Sequence, residues 1–401
     1  MDFNLTPEQV QYQQHVRQWV QDNAPGGRDF SEADMGESLE AIRARYAEWQ
    51  RKRFDARLTC VMWPEQYGGS GLGVVEHYIV TSEIDTLAIV PNINIIGFGM
   101  CLPVVLHAGT EAQRERYLPP AARGEEIWCQ LFSEPSGGSD LAALKTRAEP
   151  VEGGYKVNGQ KIWTSYAQFA DHGLLIARTD PSVAKHRGLT MFIVDMHAPG
   201  VTVRPIRFSN GAHVFNEVFF EDAFIPEENV VGEVNGGWKV AIETLMFERG
   251  TSNIHILFRP LLERVVNFAR GELADAPPTL ENQQARARLA RLLTRLQIMD
   301  LQGLRVLAGV VSGAPPGPEG SLVKLDWSES NMDTQALAME LLGPVGPLLG
   351  GSERVPEGGV FPKQWLRSFG NTIEAGSSEI LRNIVAERIL GLPKDAARSK
   401  G

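Results

Sequence analysis

Residues 154–163 read Gly154-Tyr155-Lys156-Val157-Asn158-Gly159-Gln160-Lys161-Ile162-Trp163. Asn158-Gly159, flanked by the apolar Tyr155, Val157 and Ile162, is the dipeptide that two-residue hairpin turns favour, because both turn positions need positive φ. The stretch therefore predicts a β-hairpin. Working outward, further short β-type runs occur at Trp128–Phe132, Gly173–Thr179, Leu189–Met196, Val201–Phe208 and Asn216–Ile225. Closely spaced strands of this kind predict an antiparallel barrel or sandwich between Glu125 and Gly232.

On both sides of that region the apolar spacing is helical. Thr6-Pro7-Glu8-Gln9 offers an N-cap Thr, a Pro at the first helical position and a capping-box Gln. Helical stretches follow at Leu39–Phe54, Val74–Leu87 and Glu111–Tyr117, with the glycine-rich turn Tyr67-Gly68-Gly69-Ser70-Gly71 between the first two. The helical period returns after Gly236-Gly237 and runs to the C-terminus, broken at Asp275–Pro278, Gly313–Gly317 and Gly343–Gly359. The expected class is α+β, with a helical domain over 1–124, a β domain over 125–232 and a second helical domain over 233–401.

Length and composition exclude several function classes. The chain has 401 residues, enough for roughly two or three domains. Hydrophobic residues at 43% and charged residues at 22% suit a globular enzyme and not a disordered chain. The net charge of -10 argues against nucleic acid as main partner. Cys60, Cys101 and Cys129 stand far apart, so neither a disulfide scaffold nor a four-thiolate metal site is expected. The eight histidines are scattered, and no metal is expected. The polar N-terminus is unlike a secretory signal, and no apolar run approaches a membrane span, which predicts a cytoplasmic protein.

No GxGxxG after a strand, Walker loop or GxSxG elbow is present, so any cofactor must be held another way. Four segments could carry chemistry. Ser133-Glu134-Pro135-Ser136-Gly137-Gly138-Ser139-Asp140 follows an apolar strand, and its glycines and hydroxyls suit phosphate or a flavin edge, or equally a surface turn. In Lys161-Ile162-Trp163-Thr164-Ser165 the indole could stack on an aromatic ring beside a hydroxyl, or simply pack in a core. Thr372 to Ile380 opens a helix with Gly376-Ser377-Ser378, whose free amides favour an anionic or carbonyl oxygen, or whose serines merely cap the helix. Glu248, amid Leu245, Met246 and Phe247, would be desolvated and its pKa raised as a general base needs, unless it pairs with a cation such as Arg249.

Taken in order, these segments resemble the acyl-CoA dehydrogenase family over nearly the whole chain. The matching stretches begin with Trp63-Pro64-Glu65-Gln66-Tyr67-Gly68-Gly69, Gly109 to Gln113 and Phe132 to Asp140. They continue through Asn158 to Trp163, Val218 to Asp222 and Val231 to Trp238, and end in Gly376 to Ile380 and Arg382 to Pro393. The resemblance implies an N-terminal helical domain, a middle antiparallel β-barrel and a C-terminal four-helix bundle. It implies FAD, an acyl-CoA substrate, α,β-dehydrogenation to the trans-2-enoyl-CoA and transfer of electrons to an electron-transfer flavoprotein. A homo- or hetero-oligomer, dimer or tetramer, is implied as well. By position, Phe132 and Ser133 resemble residues lining the flavin ring, and Gly138 and Ser139 resemble contacts to cofactor phosphate and the CoA arm. Trp163 and Ser165 resemble the pair covering the isoalloxazine, and Gly376, Ser377 and Glu379 resemble contacts near the adenosine half. The Ala375 amide should polarise the thioester carbonyl, and Arg249 is expected on the substrate side.

Many family members carry the catalytic Glu where this chain has Ala375, which cannot take a proton. A second branch, including isovaleryl-CoA and long-chain enzymes, uses a Glu followed by Arg on an earlier helix, and Glu248-Arg249 occupies that position. Glu248 is the expected base, with Glu374, one residue out of register, as the other candidate. An Arg-x-x-Phe-Gly segment is missing around Arg270–Pro278, and Glu340–Gly346 replaces a Gln-x-x-Gly-Gly-x-Gly stretch. FAD binding at a subunit boundary is therefore expected to be altered or shared with a different partner. The middle section looks most like bacterial members, some of which act on bulky steroid-derived or branched acyl-CoAs. Two alternatives stay open: a flavin monooxygenase or oxidase on the same fold, and a non-catalytic or half-site subunit of a heteromer.

Overall fold

The computed structural model describes residues 4–24, 38–87, 92–251, 254–272, 279–313, 317–349 and 356–393. The N-terminal region holds α1 (Pro7–Asn23), α2 (Leu39–Asp55), α3 (Val74–Leu87), α4 (Leu102–Ala108) and α5 (Glu111–Ala122). The capping box read from Thr6 is formed: its hydroxyl accepts from the Gln9 amide at 3.3 Å, and the Gln9 side chain accepts from the Thr6 amide at 3.1 Å. Thr110 and Gln113 form a second box at the start of α5. That helix runs past Tyr117 through Pro119 and Pro120. Val16, Val20, Trp49, Ile79, Val80 and Ile84 bury the facing stripes of α1, α2 and α3.

Eight strands form one sheet: β1 (Trp128–Leu131), β2 (Arg147–Val151), β3 (Gly154–Ser165), β4 (His172–Arg178), β5 (Leu189–Asp195), β6 (Val201–Pro205), β7 (Phe215–Pro226) and β8 (Val230–Val231). The order is β6-β7-β3-β2-β4-β5-β8, with β1 beside β4. Pairing is antiparallel except where β4 meets β1 and β2. Period-two alternation sorts the side chains of β4 and β5. Leu175, Ala177, Phe192 and Val194 meet Val157, Val218, Phe220 and Ile225 in one cluster, so the sheet folds over its own inner face. Leu174, Ile176, Met191 and Ile193 pack outward against Leu102, Val105 and Leu118 of α4 and α5.

The hairpin lies elsewhere than Asn158-Gly159. Val151 pairs with Gly154, so Glu152-Gly153 makes the β2–β3 turn, with Gly153 at φ 75°. Asn158 and Gly159 sit inside β3, where the register with β7 shifts. The Asn158 amide donates to Asp222 at 2.8 Å and its carbonyl accepts from the Asp222 amide at 2.9 Å. Gly159 is needed for close approach: a Cβ there would lie 2.5 Å from Thr146 Oγ1. The side chain that turns use for local bonding is here spent across strands.

The C-terminal region contains α6 (Gly237–Thr251), α7 (Ile254–Ala269), α8 (Gln283–Val311), α9 (Gly320–Leu342), α10 (Val360–Asn371) and α11 (Ser378–Ile384). Phe258 and Leu262 of α7, Leu289 and Leu296 of α8, Trp327 and Leu337 of α9 and Phe361 of α10 share one core, a four-helix bundle. Val240 and Ala241 attach α6 to the helix–sheet cluster instead. The predicted break at Asp275–Pro278 lies outside the described residues, as do parts of the other two breaks. Among the described residues no helix is long and apolar enough to cross a membrane, and no group of acidic, His and Cys side chains could hold a metal ion.

Candidate active site

The loop after β1 is held to β3 by a buried ion pair. Lys161 Nζ, on a side chain 0% exposed, donates to Glu134 Oε1 at 2.9 Å and to the Phe132 carbonyl at 3.0 Å. The Glu134 carboxylate also accepts from the amides of Lys145 at 2.6 Å and Thr146 at 2.9 Å. Burial pushes this carboxyl up, but the Lys161 charge and the hydrogen bonds from Thr146 and Lys145 outweigh it and hold it below its usual value. The Ile162 amide donates to the Ser133 carbonyl at 2.9 Å. Phe132 and Ser133 are thereby set beside Ile162 and Trp163. The Phe132 ring is packed in the helix–sheet core, whereas Gly138 and Ser139 stand exposed on the following turn.

Trp163 does not occupy a core. Its backbone has φ 61°, in a register shift between Lys161 and Thr164, and the residue is 51% exposed. A bulge that re-aims a large apolar ring into solvent is costly for a non-glycine residue, and such strain marks functional sites. The indole lies stacked at 6.3 Å on Phe208 and edge-on at 6.3 Å to Phe215. Ser165, two residues on, is half-buried opposite Phe215.

The C-terminal segment reaches this place through Arg367. Its guanidinium lies 5.7 Å from the Phe215 ring and donates to Glu374 Oε2 at 2.8 Å. The other Glu374 oxygen accepts from Asn371 Nδ2 at 2.6 Å. Ala375 and Gly376 follow with φ 54° and 94°, two successive left-handed residues. Ser377 caps α11, its hydroxyl accepting from the Ile380 amide at 3.4 Å. Glu379 lies exposed in the first turn of that helix, its carboxyl held below its usual value by its own backbone amide and the Ser377 hydroxyl.

The structure thus brings three of the four sequence segments together: 132–140 to 161–165 by direct bonds, and 161–165 to 372–380 through Phe215 and Arg367. Glu248 and Arg249 fall in the last turns of α6, but their side chains lie outside the described residues. Sequence reasoning assigned no role to Lys161, Arg367 or Lys324. For Lys161 a signal existed, because it sits in the inward register of β3 with Val157. The residues present suit a flavin. Trp163 offers an exposed indole, Gly138 stands exposed on its turn, and the buried hydroxyls of Thr164 and Ser378 have no partner among the described residues.

Comparison with known proteins identifies the family and the fold. Three domain families, "Acyl-CoA dehydrogenase, N-terminal domain", "middle domain" and "C-terminal domain", match residues 6–125, 129–223 and 235–390. The chain is 36% identical to "Acyl-CoA dehydrogenase IpdE1" of Mycobacterium tuberculosis, over 96% of this chain and 98% of that protein. Among solved structures it is similar to "Tcur3481-Tcur3483 steroid ACAD", with a TM-score of 0.84 and 28% identity, covering 98% of this chain and 100% of the other. It is similar too to "the ChsE4-ChsE5 complex from Mycobacterium tuberculosis", with a TM-score of 0.82 and 27% identity over 98% and 100% of the two chains.

Proposed function

Because this chain belongs to the acyl-CoA dehydrogenase family, an oxidoreductase family, we propose that it dehydrogenates an acyl-CoA thioester between Cα and Cβ, giving the trans-2-enoyl-CoA, with Glu248 as base. The observation that carries the reading is the convergence of the Trp163 bulge with the Ala375–Gly376 turn. FAD, when bound, supplies the acceptor for the β-hydride. Ser133, Trp163 and Ser165 would hold its ring, with Phe132 behind them. Gly138, Ser139, Gly376, Ser377 and Glu379 would hold its polar parts, Ser139 and Arg249 also facing the CoA thioester.

The chain's own part is then polarisation and proton removal. The Ala375 amide, in its left-handed turn, donates to the thioester carbonyl and stabilises the charge that develops there. Glu248 takes the α-proton. Glu374 is unsuited to that task, since both of its oxygens already accept hydrogen bonds from Arg367 and Asn371. The substrate is a bulky acyl-CoA of steroid-derived type, supported by the similarity to a protein named a steroid ACAD. The electron acceptor is an electron-transfer flavoprotein, in the cytoplasm, and the chain works as a homo- or hetero-oligomer. A second reading, a half-site subunit, is favoured by solved relatives whose names pair two proteins.

The test is anaerobic flavin bleaching against short, branched, long and steroid-type acyl-CoAs. Bleaching fastest with the steroid type supports the reading; fastest bleaching by another class corrects the substrate. Flavin that no acyl-CoA bleaches would refute the reaction, and purification without flavin would favour the half-site subunit. Trp163→Ala is expected to change folding stability by under about 1 kcal/mol, since the residue is half exposed, while FAD retention weakens about tenfold. Equilibrium denaturation and flavin release on ultrafiltration measure the two effects.

A further inference from the structure

Besides the apolar side that gives Trp327 and Leu337 to the bundle core, α9 buries a second, polar side. Lys324, Ser328, Asn331 and Gln335, at i, i+4, i+7 and i+11, lie on one side of it, and all four are buried. Lys324 is 4% exposed, and its ammonium donates to the carbonyls of Asn371 and Gly376, both at 2.8 Å. Asn331 Nδ2 donates to Asn371 Oδ1 at 2.9 Å, and Gln335 Nε2 to Asn331 Oδ1 at 3.1 Å. The two carbonyls that Lys324 holds bracket the strained segment from Thr372 to Ala375. A desolvated cation gripping both ends of a turn fixes it more firmly than a neutral donor would, because such hydrogen bonds are about twice as strong.

We propose that Lys324 is a positioning residue: it locks the Ala375–Gly376 turn and so sets where the Ala375 amide points. Its catalytic consequence rests on the reading that this amide polarises the thioester; its structural content does not. The test is Lys324→Met, read by hydrogen–deuterium exchange of peptides covering 371–378 and by kcat and KM with the acyl-CoA that bleaches the wild type fastest. The expected result is about tenfold faster exchange confined to that turn, with kcat lowered about 100-fold and KM little changed, because a displacement near 1 Å costs about that factor. Unchanged exchange at the turn overturns the proposal whatever the activity. Faster exchange with wild-type kcat keeps the positioning role and overturns the role given to the Ala375 amide. Should Lys324→Met not fold, Lys324→Ala purified in propylammonium carries the same test. Exchange at the turn that slows with added amine supports the proposal, and exchange indifferent to amine overturns it.

Discussion

Glu248→Gln is expected to keep FAD bound while anaerobic flavin reduction by acyl-CoA slows on the order of 10³-fold, the usual worth of a general base. The helix that carries it is fixed ahead of the site. Val240 and Ala241 pack into the helix–sheet core, and the buried Thr244 hydroxyl donates to the Val240 carbonyl at 2.8 Å. Residue 248 follows Ala241 and Thr244 in the sequence of α6 at i+7 and i+4. Gln is isosteric and cannot accept the proton, so substrate binding should survive and chemistry should not. Glu374→Gln is the control. It loses the ion pair to Arg367 but can still accept from Asn371, so reduction should stay within about tenfold of wild type. Stopped-flow bleaching of both variants decides between them. A Glu248→Gln protein that bleaches at the wild-type rate removes Glu248 as base.

The helix starts were legible because capping is local chemistry. Thr6 with Gln9 announces α1 three residues apart in the chain, and the structure closes that box. The long apolar runs of β4 and β5 were legible for a similar reason, since both of their faces are buried. β2 was not: in Arg147-Ala148-Glu149-Pro150-Val151 only Ala148 is buried, so no alternation shows. Asn158-Gly159 misled because the same two residues serve a turn and a cross-strand bond equally well, and the choice depends on Thr146 and Asp222.

Within the site, the legible part was what glycine and hydroxyl residues can do near a ligand. What the sequence hid was partnership at a distance. Lys324 meets Gly376 across 52 positions, and Arg367 meets the Phe215 ring of a different domain. A polar stripe at helical spacing, as on α9, reads as a solvent face, and only packing shows that it is turned inward. The resemblance supplied the order of the motifs, and the structure supplies the contacts that tie segments 132–140, 161–165 and 372–380 together.

Lys161→Met is expected to destabilise the protein by about 3–5 kcal/mol, because it leaves the Glu134 carboxylate buried without its cation. The double variant Lys161→Met/Glu134→Gln should recover a large part of that loss. The single amide oxygen of Gln keeps one of the two backbone donors, Lys145 or Thr146, and no charge is left stranded. The effect has a pH signature. In the wild type the Glu134 carboxyl is held below its usual 4.5, so its contribution is complete above that pH and is lost as pH falls through the lowered value. In Lys161→Met only the hydrogen bonds from Thr146 and Lys145 still oppose burial, so the carboxyl stands higher than in the wild type and takes up its proton earlier as pH falls. The stability gap between the two proteins should therefore narrow below about pH 4.5. Denaturant midpoints across pH 3.5–7 for the wild type, both single variants and the double variant form the cycle. Additive losses with no pH dependence would mean that the pair contributes packing and not charge, and that some other contact holds Ser133 against the Trp163 bulge.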